Sequence, residues 1–303
     1  MKKIFGILLL FIPLLGNAQQ DALYSQYMFN PFAINPAYAG SRDALSAVLL
    51  HRAQWVGMDG APNTTSLAVH SKLKGRKVAL GVNLFADRLG PSLNSGIFGT
   101  YAYHLPLAKG HLSMALRAGL YGSALDRNKL DYYQTGDVHD AGGSATAIMP
   151  SFDAGVYYYT TKFFAGISAT HLAGSQAEFN NNSNILITLR QHFIATTGMA
   201  LPMGKQVVFR PSVLVRYVHG APVNLDINAS FLFNKSLWLG VSYRSSNSLT
   251  LLTEYNILQY LRIGYSYDLL FSRLKSYSAG SHELFLGVDL NIKKDKVTSP
   301  RYL

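Results

Sequence analysis

Between Gln206 and Leu269 the chain alternates apolar and polar positions with a period of two. Val207, Phe209, Pro211, Val213, Val215 and Tyr217 alternate with Gln206, Val208, Arg210, Ser212, Leu214 and Arg216. Val223, Leu225, Ile227, Ala229, Phe231 and Phe233 then alternate with Asn224, Asp226, Asn228, Ser230, Leu232 and Asn234. Leu237 to Tyr243 and Leu261 to Leu269 repeat the scheme. A period of two gives each strand one apolar and one polar face. No helical pattern of comparable length interrupts the series. A hairpin sheet that is greasy on one side and wet on the other fits a transmembrane outer-membrane β-barrel, with lipid outside and a polar lumen inside.

From Ala44 onward the pattern predicts about 14 antiparallel strands, an all-β fold. They lie near 44–54, 63–73, 76–88, 92–105, 110–124, 151–160, 163–172, 189–201, 206–218, 223–234, 236–246, 249–256, 260–269 and 281–292. The connections sort by length. Lys74-Gly75, Pro106 to Lys109, Thr161-Lys162, Pro202 to Lys205, Lys235 and Ile257 to Gln259 are short, while 55–62, 125–150, 173–188 and 270–280 are long. Short turns at one rim and longer loops at the other are a barrel signature. An even strand count returns both ends of the barrel to one rim. An exported chain enters from the periplasm, so the short turns and both termini are expected on that side.

The ends differ in kind from the barrel region 44–292. Residues 1–18 read as a secretory signal: Lys2 and Lys3, an apolar core from Ile4 to Leu15, then Gly16-Asn17-Ala18 as small residues for cleavage. That core is too short to span a bilayer as a helix. Residues 19–43 carry two Asn-Pro pairs, Asn30-Pro31 and Asn35-Pro36, each a turn signal. They are expected as a periplasmic or lumenal segment. They are the only spare chain long enough to occupy a lumen of this strand count, which exceeds what wall side chains fill in an eight-stranded barrel. Residues 293–303 form a basic, polar tail expected in the periplasm.

Composition changes the picture little. There is no Cys, which excludes disulfides, thiolate metal sites and a lipoprotein anchor. Charged residues are 14%, low for a soluble protein, and 19 Tyr with 16 Phe suit strands and membrane interfaces. The formal charge is +11, but Lys and Arg are scattered singly rather than clustered. That argues against nucleic acid and for contact with outer-membrane lipid and lipopolysaccharide phosphates.

No catalytic constellation is found. His282-Glu283 lacks a second His four residues on, and no nucleophile elbow occurs in a strand–turn–helix context. His51, His70 and His104 fall on different strands and suit a polar lumen. Asp126, Asp131, Asp137, His139 and Asp140 share a long loop, where carboxylates can bind calcium, but their spacing matches no EF-hand. Glycines at 81, 99, 119, 155, 166, 198, 240, 264 and 287 sit mid-strand, as small inward residues or at bends. No catalytic residue, cofactor or metal is expected.

Several stretches together carry a family resemblance. They are Tyr24-Ser-Gln-Tyr-Met-Phe-Asn-Pro31, Ile34-Asn-Pro-Ala-Tyr-Ala-Gly40, Arg52-Ala-Gln-Trp-Val-Gly57, Gly60-Ala-Pro62 and Asp87-Arg-Leu-Gly-Pro91. Tyr101-Ala-Tyr-His104, Pro211 to Tyr217, Tyr265-Ser-Tyr-Asp268, Tyr277 to Glu283 and Ser299-Pro-Arg-Tyr302 complete the set. With these residues the mature chain resembles the PorP/SprF family of membrane proteins associated with the type IX secretion system of Bacteroidota. The usual terminal aromatic is Leu303 here. The resemblance implies a non-enzymatic outer-membrane barrel that assists secretion, or surface attachment, of exported cargo such as gliding adhesins. Implied partners are periplasmic components of the type IX system and the secreted cargo. Ser299, Pro300, Arg301 and Tyr302 of the tail are candidate partner-binding residues. A passive outer-membrane diffusion channel is the alternative that the polar lumen permits.

Overall fold

The computed structural model describes residues 21–42, 44–130, 143–179, 186–246 and 248–291. Strands β1 (Ala44–Ala53), β2 (Asn63–Lys72), β3 (Val78–Leu89), β4 (Ser92–Leu107), β5 (Gly110–Asp126), β6 (Ser144–Tyr159) and β7 (Phe163–Thr170) form one arc. A two-stranded ribbon of β8 (Gln176–Glu178) and β9 (Leu186–Thr188) follows. The second arc is β10 (His192–Met199), β11 (Leu201–Met203), β12 (Val207–Val218), β13 (Asn224–Phe233), β14 (Leu237–Arg244), β15 (Ser248–Asn256), β16 (Leu261–Leu270) and β17 (Ser281–Asn291). β10 and β11 both pair with β12 and are one strand interrupted at Ala200. β7 pairs with β10, and β17 pairs with β1 from Ala44↔Asn291 to Ala53↔His282. The ring is therefore closed, antiparallel and 14-stranded, as the alternation predicts.

Closure satisfies every strand edge, the condition for sheet to exist in hydrocarbon. The alternation places apolar side chains outward: Leu116 is 69% exposed, Ile167 62% and Ile97 56%. Inward positions are polar yet buried, including Arg52, Thr64, Ser113, Glu254 and Glu283. A soluble protein reverses this arrangement. Leu116 sits midway along β5, so Leu116→Arg should place a cation against hydrocarbon. The expected loss is ~2–4 kcal/mol of folding stability in lipid vesicles, read by urea titration.

The two rims differ. Connections 73–77, 108–109, 160–162, 204–206, 234–236 and 257–260 make the short-turn rim. At Asn234 and Lys235 both φ values are positive (47° and 57°), the primed turn whose twist matches that of its flanking strands. Loops 54–62, 127–143, 171–191 and 271–280 lie at the other rim. Most boundaries fall within three residues of the sequence reading, and one departs further. β6 starts at Ser144 rather than 151, so that β4, β5 and β6, at 16, 17 and 16 residues, are longer than a bilayer needs. The alternation through Ala145, Ala147 and Met149 continues because the described parts of the following loop, 171–179 and 186–191, fold into the barrel mouth. There Phe179 packs on Ala145 and Ala147, and Leu189 packs with Phe98, Tyr121 and Met149.

Candidate functional site

Residues 21–42 lie inside the lumen. They run from Asp21 at the long-loop rim, beside His171, to Arg42 at the short-turn rim, where the chain turns into β1. The two Asn-Pro pairs set the local fold. Pro31 and Pro36 each open a one-turn 3-10 helix, Pro31–Ala33 and Pro36–Tyr38, in the position where a missing N–H costs nothing. The Asn35 side chain caps the second by accepting from Ala37 N at 2.9 Å.

An irregular backbone sealed in a barrel needs partners for its carbonyls and amides, and the wall supplies them. Arg244 donates to Tyr24 O, Arg210 to Met28 O and Arg262 to Phe29 O, which the segment's own Arg42 also reaches. Ser168 donates to Ile34 O at 2.7 Å, and Asn35 Nδ2 donates to the carbonyls of Val156 and Ile167. The apolar side chains of the segment fill the middle. Phe29 sits between Trp238 and Phe285 with ring centroids 6.1 and 6.0 Å away. Phe32, fully buried, meets the His70 ring edge-on at 4.8 Å.

Two charged clusters clamp this plug. Near the long-loop rim, Arg52 bridges Asp268 (2.6 Å) and Glu283 (3.1 Å) and also donates to Ser25 Oγ. Glu283 accepts from the backbone N–H groups of Ser25 and Gln26, each at 2.8 Å, and Ser25 Oγ and Thr250 donate to Asp268. Near the short-turn rim, Asp289 accepts from Arg42, Arg262 and Ser46, and Arg262 also reaches Glu254 at 3.4 Å. Asp268, Glu283 and Asp289 are each paired and further hydrogen-bonded, the condition under which buried charge is tolerated.

Inward glycines make the space. A Cβ at Gly155 would overlap the Asn35 amide, one at Gly81 the Phe32 ring, and one at Gly264 both Phe285 and Gln26. Gly81→Val should therefore force the plug aside at an overpacking cost of ~1–3 kcal/mol. The expected readout is a folded, heat-modifiable barrel whose 21–42 segment becomes sensitive to added protease.

The sequence-selected residues fall in different places. His70 and His104 face the lumen and grip the plug: Gly40 N donates to His70 Nδ1 at 3.0 Å, and His104 Nε2 donates to Ala39 O at 2.8 Å. His51 instead faces outward, bonded to Thr65, because Leu50 and Arg52 take the inward positions. His282 is outward on Tyr265, whereas Glu283 is inward on the plug. Asp126 bonds Asn128 N and lies 3.7 Å from Lys129. Asp131, Asp137, His139, Asp140 and the tail residues Ser299, Pro300, Arg301 and Tyr302 lie outside the described residues, as do 1–18. Among the described residues no group of His, Asp or Glu is placed to hold a metal ion.

Sequence reasoning did not single out Asp21, His171 or His192. His171 follows β7 in a left-handed backbone conformation (φ 55°) that few non-glycine residues adopt. Its Nε2 is 2.9 Å from Asp21 Oδ1, and His192 Nδ1 is 3.5 Å from Asp21 Oδ2. Asp21 and His171 stand outside the strands. Burial pushes the Asp21 carboxyl up, but His171 and His192 outweigh it and hold it well below the usual carboxylate range. Burial pushes His171 down, and Asp21 more than reverses this, leaving it above its ordinary value. Above Asp21 a vestibule of about 920 Å³ opens towards the long loops; below it lies a cavity of about 90 Å³ with a mixed apolar and polar lining.

One solved structure shares the architecture. The Ralstonia pickettii toluene transporter TbuX is 15% identical, with 86% of this chain and 92% of that chain covered and a TM-score of 0.53. The CymD monoaromatic hydrocarbon channel is 15% identical over 90% of this chain and 94% of its own, with a TM-score of 0.49. At 15% identity the likeness to TbuX is one of fold. No curated protein matches the chain. The family described as "Type IX secretion system membrane protein PorP/SprF" matches residues 16–288. With that match spanning the plug and nearly the whole closed ring, the chain belongs to the PorP/SprF family of type IX secretion system membrane proteins.

Proposed function

We propose that this barrel is a non-enzymatic docking element of the type IX apparatus, closed to solutes, that assists secretion or surface attachment of exported cargo such as a gliding adhesin. The observation that carries the reading is the lumen filled by residues 21–42 and clamped at both ends by Arg52 with Glu283 and by Arg42 with Asp289. A diffusion channel needs a continuous water path, and a plug bonded through its backbone opposes one. In this reading the short-turn rim faces the periplasm, where β1 and β17 end side by side and the 293–303 tail departs. The long-loop rim, with its 920 Å³ vestibule, then faces outward towards cargo. The outward apolar belt sits in outer-membrane lipid, with lipopolysaccharide phosphates near the basic rim residues.

The tail, with Ser299, Pro300, Arg301 and Tyr302, is assigned to periplasmic secretion partners. Deleting 293–303 should leave a barrel that inserts normally but recovers less of the periplasmic machinery in a pull-down from cells. Full recovery would remove the tail from the docking surface. Purified full-length protein should be silent in planar bilayers; steady open steps would favour the diffusion-channel reading instead.

A further inference from the structure

The cavity beneath Asp21 has a mixed apolar and polar lining, and its polar groups are incompletely satisfied. Arg216, inward on β12 and 6% exposed, lines it and hydrogen-bonds to no partner among the described residues. His192, 2% exposed, turns one ring nitrogen to Asp21 and leaves Nε2 without a partner. Thr170 Oγ1 and Ser66 Oγ on the same walls also have none. The other charges facing the space compensate one another, since Arg117 is paired with Asp153 and Asp21 with His171. Several buried polar groups thus converge on one space with a guanidinium that Asp21 and Asp226 attract but neither hydrogen-bonds. Buried polar groups left in this state mark a missing partner.

Asp21 is the lid. It borders both the vestibule and the cavity, and its side chain is 32% exposed. Among the described residues, its two imidazole contacts are the first anchors of the plug; the next are Tyr24 O on Arg244 and Ser25 N on Glu283. We infer that His171, His192, Thr170 and Arg216 form a carboxylate-binding site at the floor of the vestibule, which the chain's own Asp21 carboxylate occupies from one side. An incoming carboxylate takes the imidazoles and the Arg216 fork, and the Asp21 end of the plug is released into the vestibule. A planar carboxylate suits this donor set because a guanidinium meets it with two parallel N–H groups. Either a free small acid or the C-terminal carboxylate of a peptide presents this group. The inference is independent of the docking role above, because it concerns only what the cavity accepts.

The chain has no Cys, so a single Ala22→Cys reports on the plug end without background. In the full-length barrel in detergent, the labelling rate of this thiol by a polar maleimide is measured against acetate, N-acetyl-glycylglycine and N-acetyl-glycylglycine amide, at constant ionic strength. Labelling should rise about tenfold or more with the two acids, in the range expected for a charge-assisted contact, and stay flat with the amide. A response to the peptide acid well below the acetate concentration assigns the peptide terminus as the source, and the reverse order assigns a small acid. Arg216→Met in the Ala22→Cys background should abolish the response while heat-modifiable migration shows an intact barrel. In a second measurement, Asp21→Ala should bind acetate more tightly than the parent by calorimetry, because the internal competitor is gone. Labelling indifferent to carboxylate, or a response that survives Arg216→Met, overturns the proposal and leaves Asp21 as a structural pin only.

Discussion

Deleting residues 21–42 is expected to turn a silent barrel into a conducting one. The segment supplies Phe29, Phe32, Tyr38 and their neighbours, all buried in the lumen, and no other described segment runs along its axis. A 14-stranded ring is wider than wall side chains alone can fill. The emptied wall would carry six buried arginines, 52, 117, 210, 216, 244 and 262, against seven buried carboxylates, 87, 153, 226, 254, 268, 283 and 289. Such a surface hydrates readily, and its near balance predicts weak ion selectivity. Leu50, Leu214, Leu232, Trp238, Leu252 and Phe285 would lose the apolar face of the plug, so the deleted barrel should also unfold at lower denaturant. Planar-bilayer recordings of wild type and deletion side by side provide the check. A deletion that inserts and remains closed would assign the seal to the inward-folded 171–191 loop instead.

Arg52→Met should be the most damaging single substitution. Arg52 is 1% exposed and, among the described residues, is the one cation bonded to both Asp268 and Glu283, which are 2% and 0% exposed. Removing it leaves two carboxylates facing each other across Ser25, with hydroxyls and backbone N–H groups as their hydrogen-bond donors and Arg244, already paired with Asp226, as the nearby cation. Breaking a buried pair in this way costs ~3–5 kcal/mol, because the surviving charge is left uncompensated. The same logic fixes the rescue: Arg52→Met with Asp268→Asn should recover part of the loss, since one stranded charge disappears. Denaturant midpoints of wild type, single and double variants in lipid vesicles test both statements. A single variant as stable as wild type would mean that the clamp contributes nothing to holding the plug.

The class of the molecule was legible because lipid enforces a strict period of two. Leu284, Leu286 and Leu290 could be placed outward, and Glu283 and Asp289 inward, from alternation alone. The strand count followed from the sorted turns. Two things were less visible. The start of β6 was obscured because Ala145 and Ala147 are small and follow a polar loop, and the Phe179 packing that orders them comes from a loop distant in sequence. The site was harder still. Asp21, His171 and His192 are separated by up to 171 residues and share no spacing motif; they meet only because the ring closes and the plug threads it. The mid-strand glycines were noticed, yet their reason, the thickness of Asn35 and Phe32 against the wall, needed the fold.

The bond from Ser25 to Glu283 joins positions 258 apart in sequence. The stretch exported earliest therefore holds the strand that arrives last, and β17 must find β1 and the plug in the same event. A slip of one residue at that seam would point Glu283 at hydrocarbon and strand Ser25 and Gln26 without acceptors. The plug thus proofreads the seam: a ring sealed in the wrong register cannot grip its own mandrel.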